Sequence, residues 1–115
     1  MGSCHMDKAN NEIKELAIEL IVNINKRIDD IVISCADEGS VDQDRLRNLL
    51  EDMRALVEGI AVLSELYKGI DLLEFREKLE MLTDAMSNSD TALISDILDY
   101  EVKDLLVYWQ ECLTK

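Results

Sequence analysis

Two pairs of carboxylates have the residue types and the spacing that could bind a metal ion. Glu101 and Asp104 lie three positions apart near the C-terminus, and Glu12 and Glu15 repeat that interval near the N-terminus. Residues three positions apart share one face of a helix, so each pair would present two carboxylates side by side. Mg²⁺ accepts such oxygen ligands without histidine. One alternative for this chain is therefore a magnesium site built from carboxylates alone.

A site of this kind would support nucleotide hydrolysis. All-α nucleotide pyrophosphatases place Glu-x-x-Glu on one helix opposite Glu-x-x-Asp on the next, but two predicted helices separate the pairs of this chain. A nearer pair, Glu77 and Glu80, projects away from the apolar stripe of its helix. Such pairs also arise by chance in a chain with 25 acidic residues. We therefore predict a protein that is not an enzyme and holds no metal or cofactor, with the magnesium-dependent enzyme as the alternative.

Histidine chemistry is excluded because the only histidine, His5, lies in the segment MGSCHM. That segment is typical of an expression-vector scar, so residues 1–6 are set apart from a single domain at 7–115. Phosphorelay transfer, haem ligation by histidine and di-iron sites with Glu-x-x-His pairs then lack a required side chain. Cys35 and Cys112 have no histidine base and are too few for a zinc site or a disulfide framework. Both are predicted to be ordinary buried thiols at opposite ends of the molecule.

The charge balance restricts the possible partners. Acidic residues outnumber lysine and arginine by 25 to 12, which gives a net charge of -13. Nucleic-acid backbones and anionic membrane surfaces both require clustered basic residues, so neither is an expected partner. No secretory segment follows the scar, and no apolar run approaches the roughly 20 residues of a membrane span. We expect a cytoplasmic protein.

The hydrophobic pattern predicts one all-α domain. Hydrophobic residues make up 48% of the chain, proline is absent and only 4 glycines occur, a composition that favours long helices. Apolar residues recur at steps of three and four in four segments. The first lies at about 10–36, the second between Ser40 and Gly69, the third at about 72–86, and the last runs from a cap at Ser89 or Asp90 to about 113. Short connections predict an antiparallel up-down-up-down four-helix bundle with a short third helix. A small-molecule pocket beside that short helix is a further functional alternative.

Capping residues and glycines mark the ends of these helices. Gly39 suits the left-handed position that ends the first helix, Ser40 with Gln43 is a candidate capping box, and Asp71 is expected to cap the third helix. Gly59 lies inside the second helix, where it costs up to about 1 kcal/mol relative to alanine. Either a close helix crossing at this position or simple tolerance of a glycine there would explain it.

Glu101 is an exception on the apolar face of the last helix. At about 100° per residue it lies close to the centre of a stripe formed by Ile94, Leu98, Leu105, Trp109 and Cys112. A buried, unpaired carboxylate would cost several kcal/mol or take up a proton, so it requires a partner. Arg27 and Arg76 border the neighbouring stripes and are the candidates. An ion pair at the edge of the bundle, or a side chain that reaches solvent, is the simpler interpretation than a ligand-binding carboxylate.

Apolar residues outside the main stripes suggest a binding surface. The first helix carries three of them in line, and the last helix carries three more: Ile18, Val22, Ile33, Leu93, Tyr100 and Val107. Two aligned sets on neighbouring helices predict a surface that pairs with a second copy or with a partner helix. The function predicted from the sequence is therefore a non-catalytic protein-interaction module, either a homodimer or an adaptor for another protein.

The stretch LISDILDYEVKDLLVYWQE resembles the final helix of small, uncharacterised helical proteins from Gram-positive bacteria. Asp99, Tyr100, Glu101 and Trp109 carry this likeness, which covers one helix of the predicted four. In size and acidity the bundle also resembles flagellar export chaperones, although it has no diagnostic motif of theirs. The second resemblance implies a helper that holds a helix of another protein.

Overall fold

The computed structural model describes residues 3–114, with side chains described from residue 10 onward. The predicted scar, residues 1–6, lies outside the part with described side chains. Four helices make up the described chain, as predicted: α1, Ser3–Glu38; α2, Gln43–Ser64; α3, Leu72–Ser87; and α4, residues 91–114. The third is the shortest, with 16 residues against 36 in α1 and 22 in α2. No strand occurs within residues 3–114.

The helices form an antiparallel up-down-up-down bundle. α1 packs against α2 and α4, and α3 packs against the same two helices, which closes the ring. The molecule measures 56 × 22 × 22 Å, and α1 alone accounts for the long dimension, because 36 residues at about 1.5 Å each span about 54 Å. Since α2 is shorter and joins the C-terminal end of α1, the N-terminal turns of α1 extend beyond it. None of the described helices has the length and apolar composition that a membrane span requires.

The core is entirely apolar among the described residues. One stripe from each helix is fully buried, including Ile21, Ile24, Ile28, Leu46, Met53, Ile60, Phe75, Leu82, Leu98 and Leu106. Trp109 is also fully buried, and its ring lies 5.0 Å from that of Phe75, centroid to centroid, in a tilted pair. Burial of each such side chain stabilises the fold by about 1.5–3 kcal/mol, so the four stripes supply most of the driving force.

Aspartates begin three of the helices. Asp71 accepts hydrogen bonds from the backbone N–H groups at positions 73 and 74, and Asp90 accepts one from position 93. The capping box expected at Ser40 is not formed, because Asp42 caps α2 instead by accepting from the N–H groups at positions 44 and 45. Gly39 has φ +69 and ends α1 as predicted. These caps fix where each helix starts and therefore which residues face the core.

α4 is one continuous helix with a change of geometry in its middle. Thr91–Asp96 and Lys103–Thr114 are α-helical, whereas Ile97–Val102 is a π-helical segment. A π turn contains one extra residue, which shifts all later side chains by about 100° around the axis. Val102 is fully buried as a result, and Glu101 lies beside the core and is partly exposed.

Gly59 is not held by a close helix crossing. A Cβ built on Gly59 would meet no atom within 4 Å, since the residue faces open space beside α1. We expect Gly59→Ala to raise the free energy of unfolding by about 0.5–1 kcal/mol, because alanine is the better helix former and nothing obstructs its methyl group. Urea denaturation monitored by circular dichroism measures this change.

Ala61 provides the matched control for this prediction. It is also an exposed residue inside α2, two positions further on. Ala61→Gly should lower the free energy of unfolding by a similar amount, for the same reason with the opposite sign. A Gly59→Ala protein less stable than the wild type would contradict the open position found at Gly59.

Candidate functional site

Five of the six predicted interface residues are exposed large apolar side chains. Their exposed fractions run from 39% at Val107 to 67% at Tyr100, and Val22, Ile33 and Leu93 lie between these values. Ile18 differs, because it is partly buried and packs against the core. Exposure is therefore consistent with a contact surface for most of this set.

The π-helical segment divides the predicted residues of α4 between two sides of that helix. Tyr100 lines a shallow groove with Glu74 and Lys78 of α3. Val107 follows Lys103 by one helical turn, and the Lys103 ammonium donates a hydrogen bond to the Asp29 carboxylate of α1. Val107 thus lies on the side of α4 that faces α1, whereas Tyr100 faces α3. The spacing of seven residues would align the two only in a uniform α-helix.

The seam between α1 and α4 brings Val22 and Ile33 of α1 to the same side as Val107 of α4. Val22 and Ile33 share a face of α1 with Asp29, seven residues after Val22 and four before Ile33. The Asp29–Lys103 ion pair crosses this seam, and its hydrogen bond raises the pKa of Lys103. An apolar surface with an ion pair across its middle is suited to a partner that also supplies polar groups.

Glu101 forms an ion pair at the edge of the bundle. The Lys78 ammonium donates a hydrogen bond to its carboxylate at 2.5 Å, and the Glu101 side chain is 41% exposed. The same bond raises the pKa of Lys78. An edge ion pair was the simpler interpretation and is confirmed, but both expected partners were wrong: Arg27 pairs with Asp52 of α2, and Arg76 lines the groove between α2 and α3.

The four carboxylates of the magnesium alternative are not brought together. Glu15 lies 14 residues before Asp29 on α1, about 21 Å along the axis at about 1.5 Å per residue. Asp29 marks the level at which α1 contacts Lys103 of α4, close to Glu101 and Asp104. Glu12 lies still further away, one turn beyond Glu15. Within residues 10–114, no three His, Cys, Asp or Glu side chains are placed to hold a metal ion.

The two cysteines lie at opposite ends of the bundle, as predicted. Cys35 is buried beside the start of α4, and its burial, with a smaller effect from Glu38, raises the pKa of its thiol. Cys112 is only half-buried, next to Gly69 and the Tyr108 hydroxyl near the other end. Both thiols are free and too far apart to form a disulfide within the chain.

An apolar groove between α1 and α2 is a surface that the sequence pattern did not identify. All of its lining residues are apolar: Ile13, Leu16, Ala17, Leu20, Ala55, Leu56 and Gly59. By its apolar spacing Leu16 would be a core residue, but it is 66% exposed, since the α2 residues beside it include the small Ala55 and Gly59. Val62, one turn after Gly59, is exposed in the same row of α2. The unexplained Gly59 was the one sequence signal for this groove.

Acidic side chains border this groove on both helices. Exposed glutamates flank Leu16 on α1 and the Ala55–Val62 row on α2: Glu12, Glu19, Glu51 and Glu58. Nearby bases point elsewhere, because Arg54 lines the groove between α2 and α3, and Lys14 precedes Ile18 by one turn on the α4 side of α1. The groove therefore combines an apolar floor with a negatively charged rim.

The Lys78–Glu101 pair should stabilise the fold by as much as a typical surface ion pair does. In a double-mutant cycle of Lys78→Ala and Glu101→Ala, we expect a coupling free energy of about 0.2–1 kcal/mol, because both side chains are partly exposed to water. Urea denaturation of the four proteins gives the value. A Glu101→Ala protein more stable than the wild type would contradict a stabilising pair and would favour a carboxylate retained for binding.

Comparison with known proteins assigns a family without a function. No curated protein and no solved structure matches the chain. A model of one protein family matches residues 12–112, which include nearly all of the bundle from the acidic groove at the start of α1 to Cys112 in α4. The chain therefore belongs to the family described as a domain of unknown function, DUF8042.

Proposed function

We propose that the protein is a non-catalytic interaction module that binds an amphipathic helix of a partner protein in the groove between α1 and α2. The observation that carries this proposal is the all-apolar lining of that groove, with Leu16 largely exposed beside the open backbone at Gly59. Exposed single apolar residues are normal, but a continuous apolar groove is typical of a binding site. Helix-in-groove docking buries such a surface by placing one apolar stripe in it.

The dimensions of the groove fit a short helical contact. Its lining runs from Ile13 to Leu20 on α1, about 10 Å along the axis, and from Ala55 to Gly59 on α2, about 6 Å. About two turns of a partner helix would cover this length. The partner would pack on the outer side of the α1–α2 pair as a fifth helix, since α3 and α4 occupy the inner side.

Self-association through the seam between α1 and α4 is a second candidate function. Val22, Ile33 and Val107 are exposed along this seam and would be buried between two copies. The magnesium-dependent enzyme is not supported by the placement of its carboxylates. A small-molecule pocket beside α3 has two open grooves in its favour, one at Tyr100 and one at Arg76.

A net-neutral model helix tests the proposed groove directly. The probe is a peptide of about 18 residues, long enough to form a marginally stable helix, with one leucine stripe and equal numbers of lysine and glutamate. Titration into ¹⁵N-labelled protein should shift backbone signals near Leu16, Ala55 and Gly59. Leu16→Gln should weaken binding by about tenfold or more, because a buried leucine contributes about 1.5–3 kcal/mol.

Leu73→Gln is the control for this titration. Leu73 is 65% exposed, as Leu16 is, but it lies on α3, away from the groove. The substitution should leave the affinity for the peptide unchanged. No binding of the peptide at millimolar concentration would overturn the proposed function. Signal shifts confined to Val22 and Val107 would place the binding site at the seam between α1 and α4 instead.

Light scattering distinguishes the two candidate functions. We expect the wild type to be monomeric at micromolar concentration, because the proposed groove takes a foreign helix and the chain carries a net charge of -13. The molar mass is measured for the wild type and for a double variant that carries both Val22→Asp and Val107→Asp. A wild-type dimer that this double substitution splits, with helicity intact, would establish self-association through α1 and α4.

A further inference from the structure

The rim of the groove between α1 and α2 has a single sign of charge. Four exposed glutamates border it, two from α1 and two from α2: Glu12, Glu19, Glu51 and Glu58. The basic side chains closest in sequence, Lys14 and Arg54, lie on other faces of the same helices. A ligand in the groove would therefore lie in a negative potential on both of its flanks.

We infer that the occupant of this groove is a cationic amphipathic helix of another protein, which crosses α2 closely at Gly59. The inference rests on the proposed function and adds to it the charge of the partner and the point of closest approach. Lysine or arginine beside the apolar stripe of the partner would face the glutamates of the rim. Charge complementarity of this kind raises the association rate and opposes incorrect partners.

The same charges argue against the other possible occupants. A second copy would bring its own acidic surface, at a net charge of -13 for each chain, against the acidic rim. An anionic membrane surface or a nucleic acid would meet the same repulsion. Only a partner with positive charge gains from all four glutamates of the rim at once.

Gly59 sets the geometry of the contact. Glycine inside a helix reduces stability, and Gly59 has no compensating contact within the chain, because a Cβ there would meet nothing within 4 Å. Because Gly59 has no side chain, the groove is deeper at this residue than it is beside Leu16 and Val62. A partner helix that presents a small residue at this point would approach more closely than any side chain at position 59 would allow.

Three peptides with one leucine stripe and different charges test the sign of the partner. One carries lysine, one glutamate and one both in equal number at the polar positions. At about 50 mM salt we expect the lysine peptide to bind about tenfold more tightly than the balanced one, and the glutamate peptide to bind most weakly. The differences should shrink at about 500 mM salt, because ions screen exposed charges.

The variant Glu12→Lys with Glu58→Lys should reverse the order of the lysine and glutamate peptides if the rim selects the charge. Lys14→Glu with Arg54→Glu is its control, since these residues lie on other faces, and it should keep the order of the wild type. Equal affinity of all three peptides for the wild type would overturn the cationic partner and leave the proposed function in place. Failure of all three peptides would overturn the proposed function itself.

Substitution at Gly59 tests the close approach separately. Gly59→Leu should lower the affinity for the lysine peptide by about tenfold or more, because the new side chain would occupy the floor of the groove. Ala61→Leu adds a leucine side chain to an exposed position on another face of α2 and should have no effect. Circular dichroism confirms that both variants are folded. An unchanged affinity for Gly59→Leu would overturn the crossing at this residue.

Discussion

The arrangement of α4 depends on one constraint, that two groups of apolar residues must reach the same core. On a uniform helix at about 100° per residue, Ile97 and Leu106, which are nine positions apart, would lie on opposite sides of the helix. A straight α-helix would therefore expose one of them together with the apolar residues on its side. The π-helical segment Ile97–Val102 adds one residue to the turn and brings both groups inside. The poorer hydrogen-bond geometry of this turn is offset by burial of large side chains, above all Trp109 against Phe75.

The same irregularity decides which side chains of α4 remain at the surface. It places Val102 in the core and leaves Glu101 at the edge, where Lys78 neutralises it. It also separates Tyr100, beside α3, from Val107, beside α1. In the sequence, Glu101 resembles part of a polar site, and Tyr100 and Val107 resemble one apolar stripe. In the structure, Glu101 belongs to an ordinary ion pair, and the two apolar residues lie on separate surfaces.

Small residues of α2 account for the groove between α1 and α2. Ala55 and Gly59 line it opposite Leu16, and neither has a side chain large enough to cover that leucine. Leu16 is exposed for this reason, and even a Cβ at Gly59 would meet no atom within 4 Å. An apolar floor alone would promote non-specific association. The glutamates around it limit the possible occupants by charge, which connects the acidity of the chain to the choice of partner.

The sequence by itself determined the all-α class, the four helices, the short α3 and most core positions, because apolar periodicity and caps such as Asp71 act over a few neighbouring residues. It also limited histidine chemistry to His5, the one histidine of the chain, since side-chain types do not depend on the fold. It did not determine the partner of Glu101, the exposure of Leu16 or the separation of Tyr100 from Val107. Those depend on the π turn and on which residues of the neighbouring helices lie opposite, because packing between distant segments, and not local propensity, decides which residue is covered.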